Sequence, residues 1–364
     1  MKKIVIDARE SGTTSGRYVD KLLEYLGKAK PKYHIVVLAK PKRVEFLRGL
    51  LPKFEIVESP YKEFTFSEQF RLYKQITNIN PDLMHFTFAQ QPILYRGKVL
   101  TTFHDLTTVR FRNPAKNWLV FMIKQKIYAW VIKIAARKSV AVLSPTEFVK
   151  DDVAKFAHIN SRKITVTYEA ADQITEVAEP VEGVNDDTEF VMYVGRPQPH
   201  KNLERLIDAF VMLKVKHPNL KLVFAGKKDA LYKRLNRGAR AAGFDDIIFT
   251  GFVSEGQLRW LYEHCAAYVF PSLSEGFGLP GLEAMVHGAP VVSSNTTCLP
   301  EVYGDAAEYF DPTDPFAIAS AVTRVIDNPK RAEELRKLGQ KQAAKYSWEK
   351  TAAETLAVYD SILG

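Results

Sequence analysis

The sequence predicts an α/β protein with two doubly wound parallel sheets. Three observations predict it. Short apolar runs of strand length alternate with helical stretches along almost the whole chain. The runs fall into two series, separated at residues 175–188 by the acidic, aperiodic segment TEVAEPVEGVNDDT. The chain, at 364 residues, is long for a single core.

Residues 1–6 read as a buried strand, followed by the loop DARESGTTSG and a helix over 17–26. Further short apolar runs are HIVVL at 34–38, VLTTF at 99–103 and VAVL at 140–143. The second series comprises 190–194, 222–225, 247–249, 267–270 and 291–292, with helices expected at about 203–214, 230–242, 255–263, 282–287 and 315–325. Trp348, Ala352, Leu356 and Tyr359 are spaced as one face of a final helix. No internal sequence repeat or low-complexity tract interrupts the pattern.

Composition narrows the class. Hydrophobic residues make up 46% and charged residues 26%, which is ordinary for a globular protein. Cys265 and Cys298 have no metal or CxxC spacing, so a reducing compartment without structural zinc is expected. The start, MKKIVIDARE, has too short an apolar run for a signal peptide. No stretch reaches the roughly 18 apolar residues of a membrane-spanning helix. The net charge of +9 is unevenly spread: residues 1–175 hold 30 Lys and Arg against 16 Asp and Glu, leaving 21 against 26 for the rest. A basic first half points to an anionic partner, either nucleic acid or an anionic membrane.

The basic half contains one unusual segment. From Leu106 to Thr146 there is no Asp or Glu. Within it, residues 117–138 have helical spacing, with Trp118, Phe121, Met122, Tyr128, Ala129 and Ile132 on one face around Gln125. On the other side Lys116, Lys126, Lys133, Arg137 and Lys138 alternate with Ile123, Ile127, Trp130 and Ile134. Such a face suits a lipid headgroup layer, with the lysines also able to snorkel from a buried helix. The domain's charge favours the membrane.

Chemistry concentrates at strand ends. GRPQPHKN at 195–202 follows a strand and opens a helix, so Arg196 and Lys201 share space with free helix amides; that suits a pyrophosphate. SLSEGFGLPGLEAMVHGA at 272–289 is a glycine-rich loop with Glu275, then a helix with Glu283. The two acids form either a general acid/base pair or acceptors for sugar hydroxyls. His104 and Asp105 close the strand at 99–103, and residues 12–16 offer amides and hydroxyls to an anion. There is no DxD, GxxxxGK[ST], HExxH or GxSxG.

Together these segments resemble the retaining enzymes of glycosyltransferase family 4, which have the GT-B fold. The glycine loop Gly12 to Gly16, Thr102 to Leu106 (T-x-HD-L), Gly195 to Leu203 (G-R-x4-K-N-L), Glu275 to Glu283 (E-x7-E), Pro300-Glu301-Val302 and Tyr346 to Glu349 match in order. The likeness covers nearly the whole chain. It departs at YEAAD, 168–172, where many members have P-N-G-V-D.

The resemblance implies two Rossmann-like domains facing each other across a cleft, 1–175 for the acceptor and 176–345 for the nucleotide-sugar, with residues 346–364 crossing back. It also implies roles. Arg196 and Lys201 hold the diphosphate. Glu275 contacts the sugar beside the amides of Phe277, Gly278 and Leu279, and Glu283 takes the ribose. His104 lies against the sugar. Gly16 and Gly195 approach the phosphates, and Gly226, Phe252 and Val253 flank the base. The expected reaction is a metal-independent, retaining transfer of a mannose- or glucose-type hexose from a GDP- or UDP-linked donor. Its acceptor is a glycan or lipid-linked sugar of surface polysaccharide or glycolipid assembly, with no nucleic-acid partner. The enzyme is expected in the cytoplasm, peripheral on the inner membrane face through Lys126, Trp130, Lys133, Arg137 and Lys138. The alternatives are a GT-B sugar-nucleotide epimerase and a non-enzymatic membrane-binding module.

Overall fold

A computed structural model describes residues 1–13, 16–111 and 118–364, excepting the side chains of residues 118–121 and 123. Thr14, Ser15, Lys116 and the side chains of Trp118, Phe121 and Ile123 therefore lie outside the described residues.

Two compact units divide the chain. The first gathers Met1–Arg110, the stretch from the helix at Trp118 to Glu169, and Ser347–Gly364; the second spans Ala170–Tyr346. In the first, β1 (Lys3–Asp7), β2 (His34–Ala39), β3 (Glu55–Glu58), β4 (Leu83–Phe86), β5 (Val99–Thr102), β6 (Ala141–Ser144) and β7 (Ile164–Val166) form one sheet, ordered β3-β2-β1-β4-β5-β6-β7. In the second, β8 (Phe190–Val194), β9 (Lys221–Ala225), β10 (Ile247–Gly251), β11 (Ala267–Phe270), β12 (Val291–Ser294) and β13 (Ala307–Phe310) are ordered β10-β9-β8-β11-β12-β13. Every pairing within both sheets is parallel. Counted from its own first strand, each sheet begins 3-2-1-4-5-6. Strand order reverses between β1 and β4, and again between β8 and β11. Ligands of such sheets bind beyond the strand carboxyl ends at that reversal.

The strands follow from burial on both faces, which calls for continuous apolar runs. Phe190, Val191, Met192 and Tyr193 of β8 are fully buried. Four strands break this rule and are not visible as apolar runs: β3, β4, β7 and β13. In β4 the interruption is His85, fully buried, with ring nitrogens 2.6 Å from the Tyr359 hydroxyl and 2.9 Å from the Thr102 hydroxyl. A buried imidazole with both nitrogens paired escapes most of its desolvation cost.

The final helix, Trp348–Leu363, belongs to the first unit and packs on the helix Arg17–Ala29. Ser347 caps it by accepting Lys350 N at 3.2 Å. Trp348 and Tyr359 are buried, and Trp348 lies 6.3 Å from the Tyr18 ring. The Thr351 hydroxyl donates to the Tyr168 carbonyl at 2.5 Å.

The helix Trp118–Lys138 requires a correction. Its packed seam is Ile132, Ala135 and Ala136, buried in one cluster with Phe103, Leu106, Val142 and Val153. Met122, expected on the packed face, is 38% exposed, and Tyr128 and Ala129 are half-buried, with Tyr128 packed against the edge of this cluster. Gln125 donates to the Val109 carbonyl. On the other side Lys126, Ile127 and Trp130 are exposed, as expected. Lys138 is not: its ammonium turns inward to the Pro92 carbonyl at 2.6 Å, and burial lowers its pKa to about 8. Arg137, though exposed, spends its Nε on the Ala157 carbonyl, and Lys133 lies over the Phe156 ring. No helix among the described residues is long and apolar enough to cross a membrane.

Candidate functional site

In the second unit, the loops after β8 and β11 leave the two strands that flank the reversal of strand order. A backbone bond joins them, Leu273 N to His200 O at 2.7 Å. Lys201 Nζ meets Glu275 Oε1 at 2.6 Å, with side chains only 17% and 11% exposed. The ammonium keeps further N–H groups, and the carboxylate further lone pairs. A mostly buried ion pair is stabilising only when such remaining valences are met, which suits this pair to a polar ligand. Arg196 stands exposed at the start of the same loop; its carbonyl accepts Gln198 N at 2.9 Å, while its guanidinium has no ion-pair or hydrogen-bond partner among the described residues. Burial, then the charge of Lys201, lowers the His200 pKa to about 4, so that ring is neutral at pH 7.

Asn202 fixes both loops. Its backbone is left-handed, at φ 61°, which Asn tolerates better than most residues. Its amide donates to Pro271 O at 3.0 Å and Pro312 O at 2.7 Å, and its carbonyl accepts Arg205 at 2.7 Å. One buried side chain thus ties the loops after β8, β11 and β13. Sequence reasoning passed over it as part of a motif; the available signal was an Asn directly before a helix. Close backbone contact continues at Gly226, φ 154°, where any Cβ would strike the Gly195 carbonyl. That carbonyl also accepts the Tyr232 hydroxyl at 2.8 Å. Beyond β10, Phe252 is 87% exposed and Val253 half-buried.

The glycine-rich stretch folds earlier into helix than its sequence suggests. The helix is Leu279–Val286, with Pro280 in its first turn and Gly278, φ 90°, as its cap. The amides that open a helix have no partner within it. The Tyr303 hydroxyl donates to Gly278 O at 2.5 Å and stands where a Cβ would go. Phe277 is buried edge-on against Tyr346, so only its backbone is available at the loop surface. Leu279 is half-buried. Glu275 N lies 3.3 Å from the Thr297 hydroxyl. Glu283 is 5% exposed, with Oε2 3.4 Å from the Tyr262 hydroxyl. The two acids therefore keep different neighbours, a lysine and a tyrosine.

In the first unit, Gly16 begins the helix Arg17–Ala29 in the loop after β1, and a Cβ there would collide with the Glu10 carbonyl. His104 follows β5. Its Nε2 lies 3.0 Å from the Thr87 carbonyl and its Nδ1 3.1 Å from Glu169 Oε1. Tyr18 and Phe88 wall the ring at 4.6 and 4.7 Å. Burial opposes a charge on His104, but Glu169, the Thr87 carbonyl and Asp105 outweigh it and hold the pKa above its ordinary 6.5. Glu169 was not singled out as a site residue; its departure from the P-N-G-V-D pattern was the signal. Cys265 and Cys298 are buried free thiols, the former raised to about 12 by burial.

The family model described as "Glycosyl transferases group 1" matches residues 175–342, and that of "Glycosyltransferase Family 4" matches residues 15–173. Among curated relatives, "O-antigen chain mannosyltransferase B" of Escherichia coli is 35% identical over 47% of this chain and 45% of its own length. "Serotype-specific mannosyltransferase WbdA", also of Escherichia coli, is 32% identical over 58% of this chain and 28% of its own length. The match thus spans less than half the length of either relative. Among solved structures, sucrose-phosphate synthase of Thermosynechococcus elongatus superposes with a TM-score of 0.78 at 18% identity, covering 100% of this chain and 99% of the other. HepE of Anabaena, in complex with UDP and glucose, gives 0.75 at 16% identity, covering 99% and 100%. WaaG, "a glycosyltransferase involved in lipopolysaccharide biosynthesis", gives 0.73 at 14% identity, covering 98% and 99%. These likenesses establish the GT-B fold.

Proposed function

We propose, from the premise that this chain belongs to the group 1 glycosyltransferases with a family 4 first half, that it is a retaining transferase. It moves a hexose from a nucleotide-sugar to a glycan or lipid-linked acceptor of surface polysaccharide assembly. The observation that carries this proposal is the Lys201–Glu275 pair, 2.6 Å apart at the strand-order reversal of the second sheet, with exposed Arg196 in the same loop.

The pair divides the donor between its two ends. The remaining N–H groups of Lys201, with Arg196, take the diphosphate. Glu275 accepts from sugar hydroxyls through its remaining lone pairs. Cleavage of the glycosidic bond leaves negative charge on the departing nucleoside diphosphate, where fixed cations are most effective. Glu275 then positions the sugar and does not attack it. The acceptor hydroxyl enters on the face the diphosphate leaves, losing its proton to a phosphate oxygen, so configuration is retained and no metal ion is needed. Glu283 takes the ribose once its carboxylate turns from Tyr262, and Phe252 lies beside the base. The names of the relatives favour mannose over glucose, while UDP in the HepE complex keeps the base open. Exposed Lys126, Ile127 and Trp130 support peripheral attachment to the inner face of an anionic membrane.

The test is a donor screen reading UDP or GDP release with and without a lipid-linked glycan, followed by NMR of the product's anomeric configuration. Acceptor-dependent release with the donor's configuration is expected. Inverted product refutes retention, and free epimerised nucleotide-sugar refutes transfer. Vesicle flotation of Lys126→Glu/Trp130→Ser, expected to lose anionic vesicles, tests the membrane separately.

A further inference from the structure

We propose that Glu169 is a positioning residue that keeps His104 doubly protonated, making the ring a fixed cation and not a proton acceptor. The geometry carries this. A neutral imidazole donates through one nitrogen and accepts through the other. The Thr87 carbonyl only accepts, so Nε2, 3.0 Å away, must donate. Nδ1 lies 3.1 Å from Glu169 Oε1, and although burial opposes a charge on the ring, Glu169, the Thr87 carbonyl and Asp105 outweigh it, so the proton shared by this contact sits on Nδ1. Both protons are present together only in the imidazolium.

The surroundings hold this arrangement in place. Glu169 has a side chain 6% exposed and little room to swing away. The residue before it is pinned by the final helix, through the Thr351 hydroxyl on Tyr168 O. Tyr18 and Phe88 fix the plane of the imidazole. The titratable groups facing it are few. Glu169 and Asp105 favour the charge. Tyr18, from the helix Arg17–Ala29, is a neutral hydroxyl 3.3 Å from Thr102. His85 on β4 stays neutral, its pKa brought to about 3 by burial and then by His104. Trp348, from the final helix, adds no charge. At the position of Glu169, P-N-G-V-D would place an uncharged amide, which could not supply this charge.

This inference rests on the transferase proposal only for its use. With both N–H groups taken, His104 cannot be a general base toward the acceptor. A fixed cation at this position suits an anionic group and not a proton acceptor.

The direct test is a histidine-nitrogen NMR titration of the full chain, with His104 assigned through His104→Gln. In the native protein both His104 nitrogens are expected protonated at pH 7, deprotonating above 6.5. Glu169→Gln should lower that titration, because the adjacent opposite charge is lost. Glu169→Asp should restore part of the shift. A neutral His104 at pH 7 in the native protein, or a titration unmoved by Glu169→Gln, overturns the proposal. Seven unchanged histidine signals certify the fold of the variant. If the variant fails to fold, the native titration alone decides. In turnover, Glu169→Gln should lower kcat about tenfold at pH 7, with donor KM unchanged and the alkaline limb moved down. If the NMR result holds but no donor is consumed, the transferase proposal falls and the clamp stands.

Discussion

Replacing Asn202 with glycine asks whether a single amide holds together the loops after β8, β11 and β13. Glycine adopts a φ of 61° without strain, so the change removes the side chain and little else. Lost with it are the bonds to Pro271 O at 3.0 Å and Pro312 O at 2.7 Å. Asn202 is 6% exposed, so both carbonyls are left largely out of water. A net hydrogen bond contributes about 1 kcal/mol, and an unpaired buried group costs about 1 to 3 kcal/mol. Two carbonyls therefore give about 2 to 6 kcal/mol, and about 3 kcal/mol is expected because relaxation lets some water in. With a urea slope of about 2 kcal/mol/M, the midpoint of the second unit should fall by about 1.5 M. Fluorine NMR of 5-fluorotryptophan reads this unit alone through Trp260, since Trp118, Trp130 and Trp348 lie in the first. Affinity for GDP or UDP should fall about tenfold, about 1.4 kcal/mol, as Lys201 loses register with Glu275. Asn202→Ala should be lower still by about 1 to 2 kcal/mol, the penalty of a left-handed alanine. A loss under about 1 kcal/mol with binding intact would refute the reasoning and leave the Leu273–His200 backbone bond as the sufficient tie.

Gly278→Ala should cost about 3 kcal/mol or more in urea unfolding, because φ is 90° and the new Cβ sits 2.5 Å from the Tyr303 hydroxyl. Gly238→Ala, in an open helix interior, should instead stabilise by up to about 1 kcal/mol; equal effects at the two sites would sink the steric argument. Lys201→Met should lower turnover on the order of 10² to 10³-fold, leaving Glu275 without its counter-ion; a loss under about tenfold in steady-state kinetics would remove Lys201 from the chemistry. His85 has its pKa lowered from 6.5 to about 3 by burial and then by His104, so the fold excludes its charged form. The associated stability is complete above about pH 6.5 and lost as pH falls toward 3. Urea midpoints of native protein and His85→Gln should therefore converge between pH 7 and pH 4.5, and a constant gap would contradict this.

Most strands were legible because a sheet covered on both faces leaves no polar choice, as in β8. β4 was not, because the partners that make His85 tolerable inside it are Thr102 and a tyrosine 274 positions away. The helix Pro329–Ala343 is polar except at Ala332, Leu335, Gly339 and a few neighbours, too thin a stripe for an apolar count to find. At the site, Arg196, Lys201, Glu275 and Glu283 stood out by residue type and loop chemistry. That Lys201 closes on Glu275, 74 residues on, was not legible, because it depends on which strands become neighbours. Lys138 shows the converse. Its place on the helix was right, but the Pro92 carbonyl decides where the ammonium goes.

The placement of Trp348–Leu363 in the first unit has a consequence for biosynthesis. A chain leaves the ribosome amino end first, and domains usually complete themselves in that order. Here the first unit lacks a wall until its last helix is translated. Tyr18 must wait for Trp348, His85 for Tyr359 and Tyr33 for Asp360. The 177 residues from Ala170 to Tyr346 take about 10 to 35 s to make at ordinary translation rates, long enough for the second unit to finish first. During that interval the nascent first unit is a natural client for chaperones. A stop codon within the last eighteen residues would cripple the half of the protein made earliest, while the half made just before it stays whole.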